Sequence, residues 1–227
     1  MRILALDTAL EACAAAVLDT ERRDLVASET RPMTRGHAEA LMPMVARVMD
    51  AARLEFSEID RIAVTIGPGS FTGVRVGIAA ARGLALAAGK PAIGLTTLAA
   101  FTAPHVAGGF AGTVVPVIDA RHGQVYMQVF GPGGRAVVPP RLAAIGEAVE
   151  AARSRAPALI AGSAADLVAS QWPPGEPPPK IVAASAPDIA WVARLGAAAQ
   201  EDRALPKPLY LRPPDARPQD AARISHR

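Results

Sequence analysis

Gly67–Gly73 reads GPGSFTG. The apolar run Ile62-Ala63-Val64-Thr65-Ile66 precedes it and a second, Val74 to Ala88, follows, so the stretch reads as a strand, a tight glycine turn and a helix start. That is the architecture of a phosphate cradle. Ser70 and Thr72 are placed to cap, Gly67 and Gly69 let the backbone approach a ligand closely, and the first free helix amides point at whatever occupies the turn. The helix that follows ends near Gly89, before Pro91. In it Val74, Ile78, Ala81, Leu84 and Ala85 are apolar, Gly73, Gly77, Ala80 and Gly83 are small, and only Arg75 and Arg82 mark a polar stripe. A helix this apolar has to be covered on more than one side.

Working outward, a weak internal repeat frames the loop. Arg2-Ile3-Leu4-Ala5-Leu6 runs into Asp7 and a returning apolar strand, Cys13 to Leu18, follows; Val114 to Ile118 runs into Asp119 and Val125 to Phe130 follows. Both copies read as strand, aspartate, short polar turn and returning strand, as a duplicated α/β unit would.

A helix is expected from about His37 to Arg53, with Leu41, Val45, Val48 and Ala52 on one stripe and Met42, Met44 and Met49 widening the apolar surface. Two such helices leave apolar surface to account for. A protein interface is the favoured explanation, since methionine suits surfaces that adapt to a partner; cover by a second sheet or a later helix of the same chain is the other.

In the second half, Gly131 to Pro140 reads as a turn-rich connection, Leu142 to Ser154 as a helix, Ala158 to Gly162 as a strand and Ala164 to Ser170 as a helical stretch. Pro173 to Pro179 is a surface loop, Lys180 to Ala184 a strand, and Pro187 to Ala199 a helix with Asp188 near its start. Arg212 to Arg227, with few apolar residues, reads as a flexible tail.

The composition, 51% hydrophobic and 20% charged over 227 residues, supports an ordinary core in one large or two small domains. A pI near 9.5 rests on a net charge of only +3, so charge selects no partner. Cys13, the one cysteine, lies in an apolar strand pattern and reads as a small buried residue in a reducing compartment. Met1-Arg2 leads into a strand without a signal-peptide pattern, so a cytoplasmic location is expected. Val74 to Gly89 is interrupted by arginines and falls short of the roughly 20 residues a bilayer requires.

Motifs that would carry chemistry are largely missing. There is no GxxxxGK[ST] loop, no GxGxxG fingerprint and no GxSxG elbow, and His37, His105, His122 and His226 have no metal-ligand spacing. Asp7 and Asp119 stand at strand ends of a repeated α/β core, where ligands of such sheets bind. They can orient a magnesium nucleotide or cap their turns as Asx residues, and sequence leaves both readings open.

Five segments together resemble the bacterial TsaB (YeaZ) family: LALDTA near the N-terminus, RGHAEALMP at Arg35 to Pro43, GPGSFTGVRVG at Gly67 to Gly77, VIDARHGQVY at Val117 to Tyr126 and PLYLRPP at Pro208 to Pro214. They span nearly the whole chain, and the ordered series is far more specific than any one member. The resemblance implies an α/β fold of the ASKHA (actin/hexokinase/Hsp70-like) type with two ribonuclease-H-like lobes, assigned to 1–102 and 103–211, with 212–227 as the tail. It also implies a non-catalytic scaffold in tRNA threonylcarbamoyladenosine synthesis that binds a related catalytic subunit, TsaD. A TsaE-type ATPase, tRNA reached through the complex, and a homodimer when TsaD is absent are the other implied associations, with no membrane.

TsaD carries an HxxxH metal motif soon after its glycine loop and helix. The corresponding positions here fall on Thr97 and Phe101, neither able to hold the metal, so no catalytic or metal residue is expected. No cofactor is expected on the chain itself, with ATP and magnesium confined to the assembled complex. The implied partner face draws on Leu41, Met42, Val45, Met49, Val74, Ile78, Ala81 and Leu84. Asp7, Gly67, Gly69, Ser70 and Asp119 remain as a vestigial nucleotide site. An ATP-dependent ASKHA kinase or hydrolase acting through Asp7, the glycine loop and Asp119 is the alternative; for a peptidase, no nucleophile, base or metal pattern is present.

Overall fold

The computed structural model describes residues 1–22, 24–200 and 206–212. The expected tail beyond Arg212 lies outside the described residues. Two five-stranded sheets share one topology. In the first, β1 (Arg2–Asp7), β2 (Ala12–Asp19) and β3 (Asp24–Pro32) form an antiparallel meander, and β4 (Arg61–Thr65) and β5 (Ala92–Leu95) run parallel to β1, giving the order β3-β2-β1-β4-β5. Helix α1 (His37–Ala52) joins β3 to β4 and α2 (Phe71–Ala88) joins β4 to β5. After α3 (Thr97–Ala107) the pattern repeats. β6 (Thr113–Asp119), β7 (Gln124–Phe130) and β8 (Ala136–Ala144) form the second meander, and β9 (Ala158–Gly162) and β10 (Lys180–Ala183) complete the order β10-β9-β6-β7-β8. Here α4 (Ile145–Arg153) and α5 (Ala165–Ala169) are the crossover helices, and α6 (Ile189–Ala198) is the counterpart of α3. The repeat read from two aspartates thus extends over a whole lobe, in the ASKHA arrangement.

Strand alternation divides the first lobe's core. Leu4, Leu6, Val17, Ile62 and Val64 face α1 and α2, whereas Ile3, Ala5, Ala14, Ala16 and Ala63 face the opposite side. Both faces are buried, so β1 and β2 read as apolar runs rather than alternating strands. The opposite side is covered by α6, whose Ile189, Val192 and Ala193 complete that layer. In return α3 packs on the second sheet, Leu98 and Phe101 against Ile118, and Ala99 beside Val114, Phe130 and Leu159. Each lobe lends its last helix to the other. The cut expected after residue 102 falls inside α3, and the segment expected in the second lobe, 103–211, includes a helix of the first lobe's core.

Four strands or α-helices differ from expectation: β5 and α3 lie between the repeats, where only α1, β4 and α2 are expected, and β3 and β8 are the other two. Residues 136–144, expected as turn and helix start, form β8 despite Pro139 and Pro140, because β8 is an edge strand that tolerates missing donors; the helix begins only at Ile145. β3 lacks an apolar signal because it is the exposed edge of its sheet. α2 is long and apolar enough by composition to cross a membrane, but Val74, Ile78, Ala81 and Ala85 bury its inner face in the first lobe's core.

Candidate functional site

The glycine loop packs on its own chain. A Cβ at Gly73 would fall on the Thr8 carbonyl oxygen, and one at Gly69 on the Ala9 carbonyl oxygen. Thr8 Oγ1 donates to the Gly73 carbonyl at 2.7 Å, and the Ser70 amide donates to the Ala9 carbonyl at 2.8 Å. The close approach that these glycines permit is therefore to the β1–β2 turn, and it seats α2 over that turn. Ser70 is the N-cap of α2, its Oγ accepting from the Gly73 amide at 3.3 Å. Gly67, at φ +98°, lies against the Leu209 carbonyl.

Asp7 is sealed beneath this loop. It is fully buried; Thr65 Oγ1 and, at 3.0 Å, the Ala9 amide donate to its Oδ1. Oδ2 has no hydrogen-bond partner among the described residues, and burial pushes the carboxyl above its ordinary pKa. Asp119 makes the same i to i+2 bond, accepting from the Arg121 amide at 2.7 Å, but is exposed. The Asx turn is common to both repeats. Only the second aspartate opens on the cleft.

That cleft, about 1130 Å³, lies between the lobes. The first lobe contributes Glu11, Arg35, His37, Ser70 and Phe71, and the second Asp119, Arg121, Tyr126, Ser163 and Asp166. One wall is a segment that sequence reading left without a structural role, Leu209 to Arg212 of the PLYLRPP motif. Tyr210 stacks on Phe71 with centroids 5.3 Å apart, and Arg75 Nε donates to the Tyr210 hydroxyl at 2.7 Å while its guanidinium lies 3.8 Å over the Phe71 ring. Arg212, expected in the tail, donates to Gln124 Oε1 at 2.6 Å. The motif's aromatic and arginine content was the available signal.

Among the described residues, no group of three or more His, Cys, Asp or Glu side chains is gathered as a metal site. Thr97 and Phe101 lie one turn apart on α3 and are buried, Thr97 Oγ1 without a hydrogen-bond partner among the described residues. Cys13 is fully buried, and burial together with the nearby Asp7 carboxylate pushes its thiol up to about 11.

Comparison with known proteins places these features. A family model described as "TsaD: tRNA N6-adenosine threonylcarbamoyltransferase" matches residues 27–169. The tRNA threonylcarbamoyladenosine biosynthesis protein TsaB of Escherichia coli (strain K12) is 40% identical over 126 residues, 56% of this chain and 53% of that protein. The solved structure of YeaZ from Pseudomonas aeruginosa superposes with TM-score 0.76 at 27% identity, covering 92% of this chain and 100% of that one. The chain belongs to the TsaB (YeaZ) family. An uncharacterized protein of Mycobacterium bovis is 34% identical over 222 residues, covering 95% of this chain and 94% of that protein. The match to the E. coli TsaB spans about half of that relative's length, whereas the match to the mycobacterial protein is nearly end to end.

Of the residues assigned to the partner face, Leu41, Val45, Met49, Val74, Ile78 and Ala81 lie in the first lobe's own core. Leu84 is partly buried against that core, and Met42 is 45% exposed. The outward surface of the same two helices carries Met42 and Ala46 on α1 and Ala79, Gly83, Leu86 and Ala87 on α2, with Leu86 85% exposed. The same outward face of α2 carries the exposed Arg75 and Arg82, the polar stripe of the sequence, but with apolar or small residues on every side of that stripe periodicity did not separate the buried face from the exposed one.

Proposed function

We propose that this TsaB-family chain is a non-catalytic scaffold subunit in tRNA threonylcarbamoyladenosine synthesis, docking through the outward face of α1 and α2 onto a TsaD-type catalytic subunit. The observation that carries this reading is the exposed apolar flank, where Met42 and the almost fully solvated Leu86 stand among small residues. A large apolar side chain held in water costs free energy that a partner recovers by covering it. Small residues at Ala46, Ala79 and Gly83 would let a second pair of helices approach closely. The same face would serve a homodimer when the catalytic subunit is absent, with a TsaE-type ATPase and tRNA joining through the assembled complex in the cytoplasm. A supporting consideration is that Thr97 and Phe101 stand where TsaD is expected to carry its metal-binding histidines.

The test is binding of the purified chain to a TsaD-type subunit, with threonylcarbamoyl transfer to tRNA as the activity. The chain alone should be inactive, and the mixture active. Leu86→Glu should weaken the complex by about thirtyfold or more, the scale of an interface anchor, without altering the monomer's melting temperature. Transfer by the chain alone, or an unchanged complex in Leu86→Glu with Met42→Glu, would overturn the proposal. The kinase alternative predicts magnesium-dependent ATP turnover in the isolated chain, with Asp119, rather than the buried Asp7, as the repeat aspartate that opens on the cleft.

A further inference from the structure

Residues 206–212 lie outside every helix and strand, yet they reach both lobes. On the first lobe, Pro206 is buried against Gly94, the Leu209 amide donates to the Ile66 carbonyl at 2.8 Å, and Tyr210 stacks on Phe71 under the Arg75 guanidinium. On the second, Arg212 donates to Gln124. Gln124 directly follows Arg121, His122 and Gly123, three consecutive residues with left-handed φ of 65°, 54° and 70°. That turn carries Arg121 into the cleft, and Leu209 to Arg212 form the wall beside it. The segment therefore ties the N-terminus of α2 to the hairpin at the cleft's opposite lip.

The attachment is weak in kind. Among the described residues it comprises a single backbone hydrogen bond to the body of the protein, the buried Pro206 against Gly94, an exposed side-chain bond from Arg75 and a part-buried one to Gln124, and a ring stack in which Phe71 is 49% and Tyr210 45% exposed. A segment with few buried apolar contacts and exposed hydrogen bonds opens at far lower free energy than the strands it lies on.

We infer that residues 206–212 are a latch between the lobes: docked, they hold the lobes together across the cleft, and undocked, they let the cleft widen about the segments that join the lobes. The inference rests on the strap's contacts alone and holds whether or not the chain acts as a scaffold. Opening would widen access to Asp119, Arg121 and Ser163, which already line the cleft.

The experiment uses the full chain labelled at Ser28→Cys on β3 and Ala136→Cys on β8, both exposed and on the outer edges of the two sheets. Cys13, buried with a raised thiol pKa, stays unlabelled. Distances between paired spin labels should shift longer and broaden in Tyr210→Ala/Arg212→Ala, and Tyr210→Phe with Arg212 intact, which keeps the ring stack, should return towards the parent distribution. In the parent chain the Leu209 amide should exchange with solvent faster than the amides of β1, because the latch opens without unfolding. An unchanged distance distribution in the folded double variant overturns the latch. So does failure of that variant to fold, or Leu209 exchange as slow as that of β1, since either makes 206–212 a fixed part of the core.

Discussion

At Gly73 the backbone has no room for even one methyl group, because the Thr8 carbonyl occupies the place where Cβ would stand. Gly73→Ala should destabilise the protein by about 3 kcal/mol, the upper part of the range for overpacking, read by denaturant unfolding. Gly83, ten residues along the same helix, meets nothing within 4 Å, so Gly83→Ala should stabilise by about 1 kcal/mol through helix propensity. Sequence places both glycines on one helix start and its continuation, but cannot tell a glycine needed for a ligand from one needed for the chain's own turn. The surface that decides it comes from Thr8 and Ala9, remote in sequence. Asp7 makes a second case. Its carboxyl pKa is raised by burial, so the folded state binds the proton more tightly than the unfolded state does. The stability it contributes is full below the unfolded pKa and is lost as pH rises through the folded pKa. Asp7→Asn, which keeps a carbonyl acceptor for Thr65 and the Ala9 amide, should gain stability over the parent at neutral pH and lose that advantage in acid, as unfolding curves across pH would read.

Among the elements, α2 was the most legible in extent and the least in orientation. Its start, its Ser70 cap and its end at Gly89 follow from local signals, whereas its facing depends on Thr8, Val64 and the other first-lobe residues packed beneath it. Ile78→Ala, on the buried face, should cost about 2–5 kcal/mol of stability and lower the melting temperature of the monomer. Leu86→Ala, on the outer face, should leave that melting temperature nearly unchanged while weakening association. The proposed docking face is thus told apart from the core by a pair of variants on one helix. β8 went unread for the opposite reason: Pro139 and Pro140 are strong local breakers, and only the edge position, a property of the whole sheet, makes them harmless.

For the whole molecule, the repeat was legible from its hairpins, but the exchange of α3 and α6 was not, since nothing local in an apolar helix says which sheet it will cover. The exchange makes the lobes depend on each other. Residues 1–110 alone should lack a cooperative unfolding transition, because Ile3, Ala5, Ala14, Ala16 and Ala63 would face water without Ile189, Val192 and Ala193. Joining residues 184–200 to that fragment through a flexible linker should restore the transition, measured by circular dichroism on heating. Arg61, which donates to the carbonyls of Gly196 and Ala199, would anchor the returned helix.

The same exchange bears on the order in which the chain is made. A ribosome delivers the first sheet early, yet the helix that shields its far side is synthesised only after nearly the entire second lobe has been translated. During that interval the nascent polypeptide exposes a layer of alanine and isoleucine to the crowded cell, a demand on holding chaperones that a lobe complete in sequence order would never make.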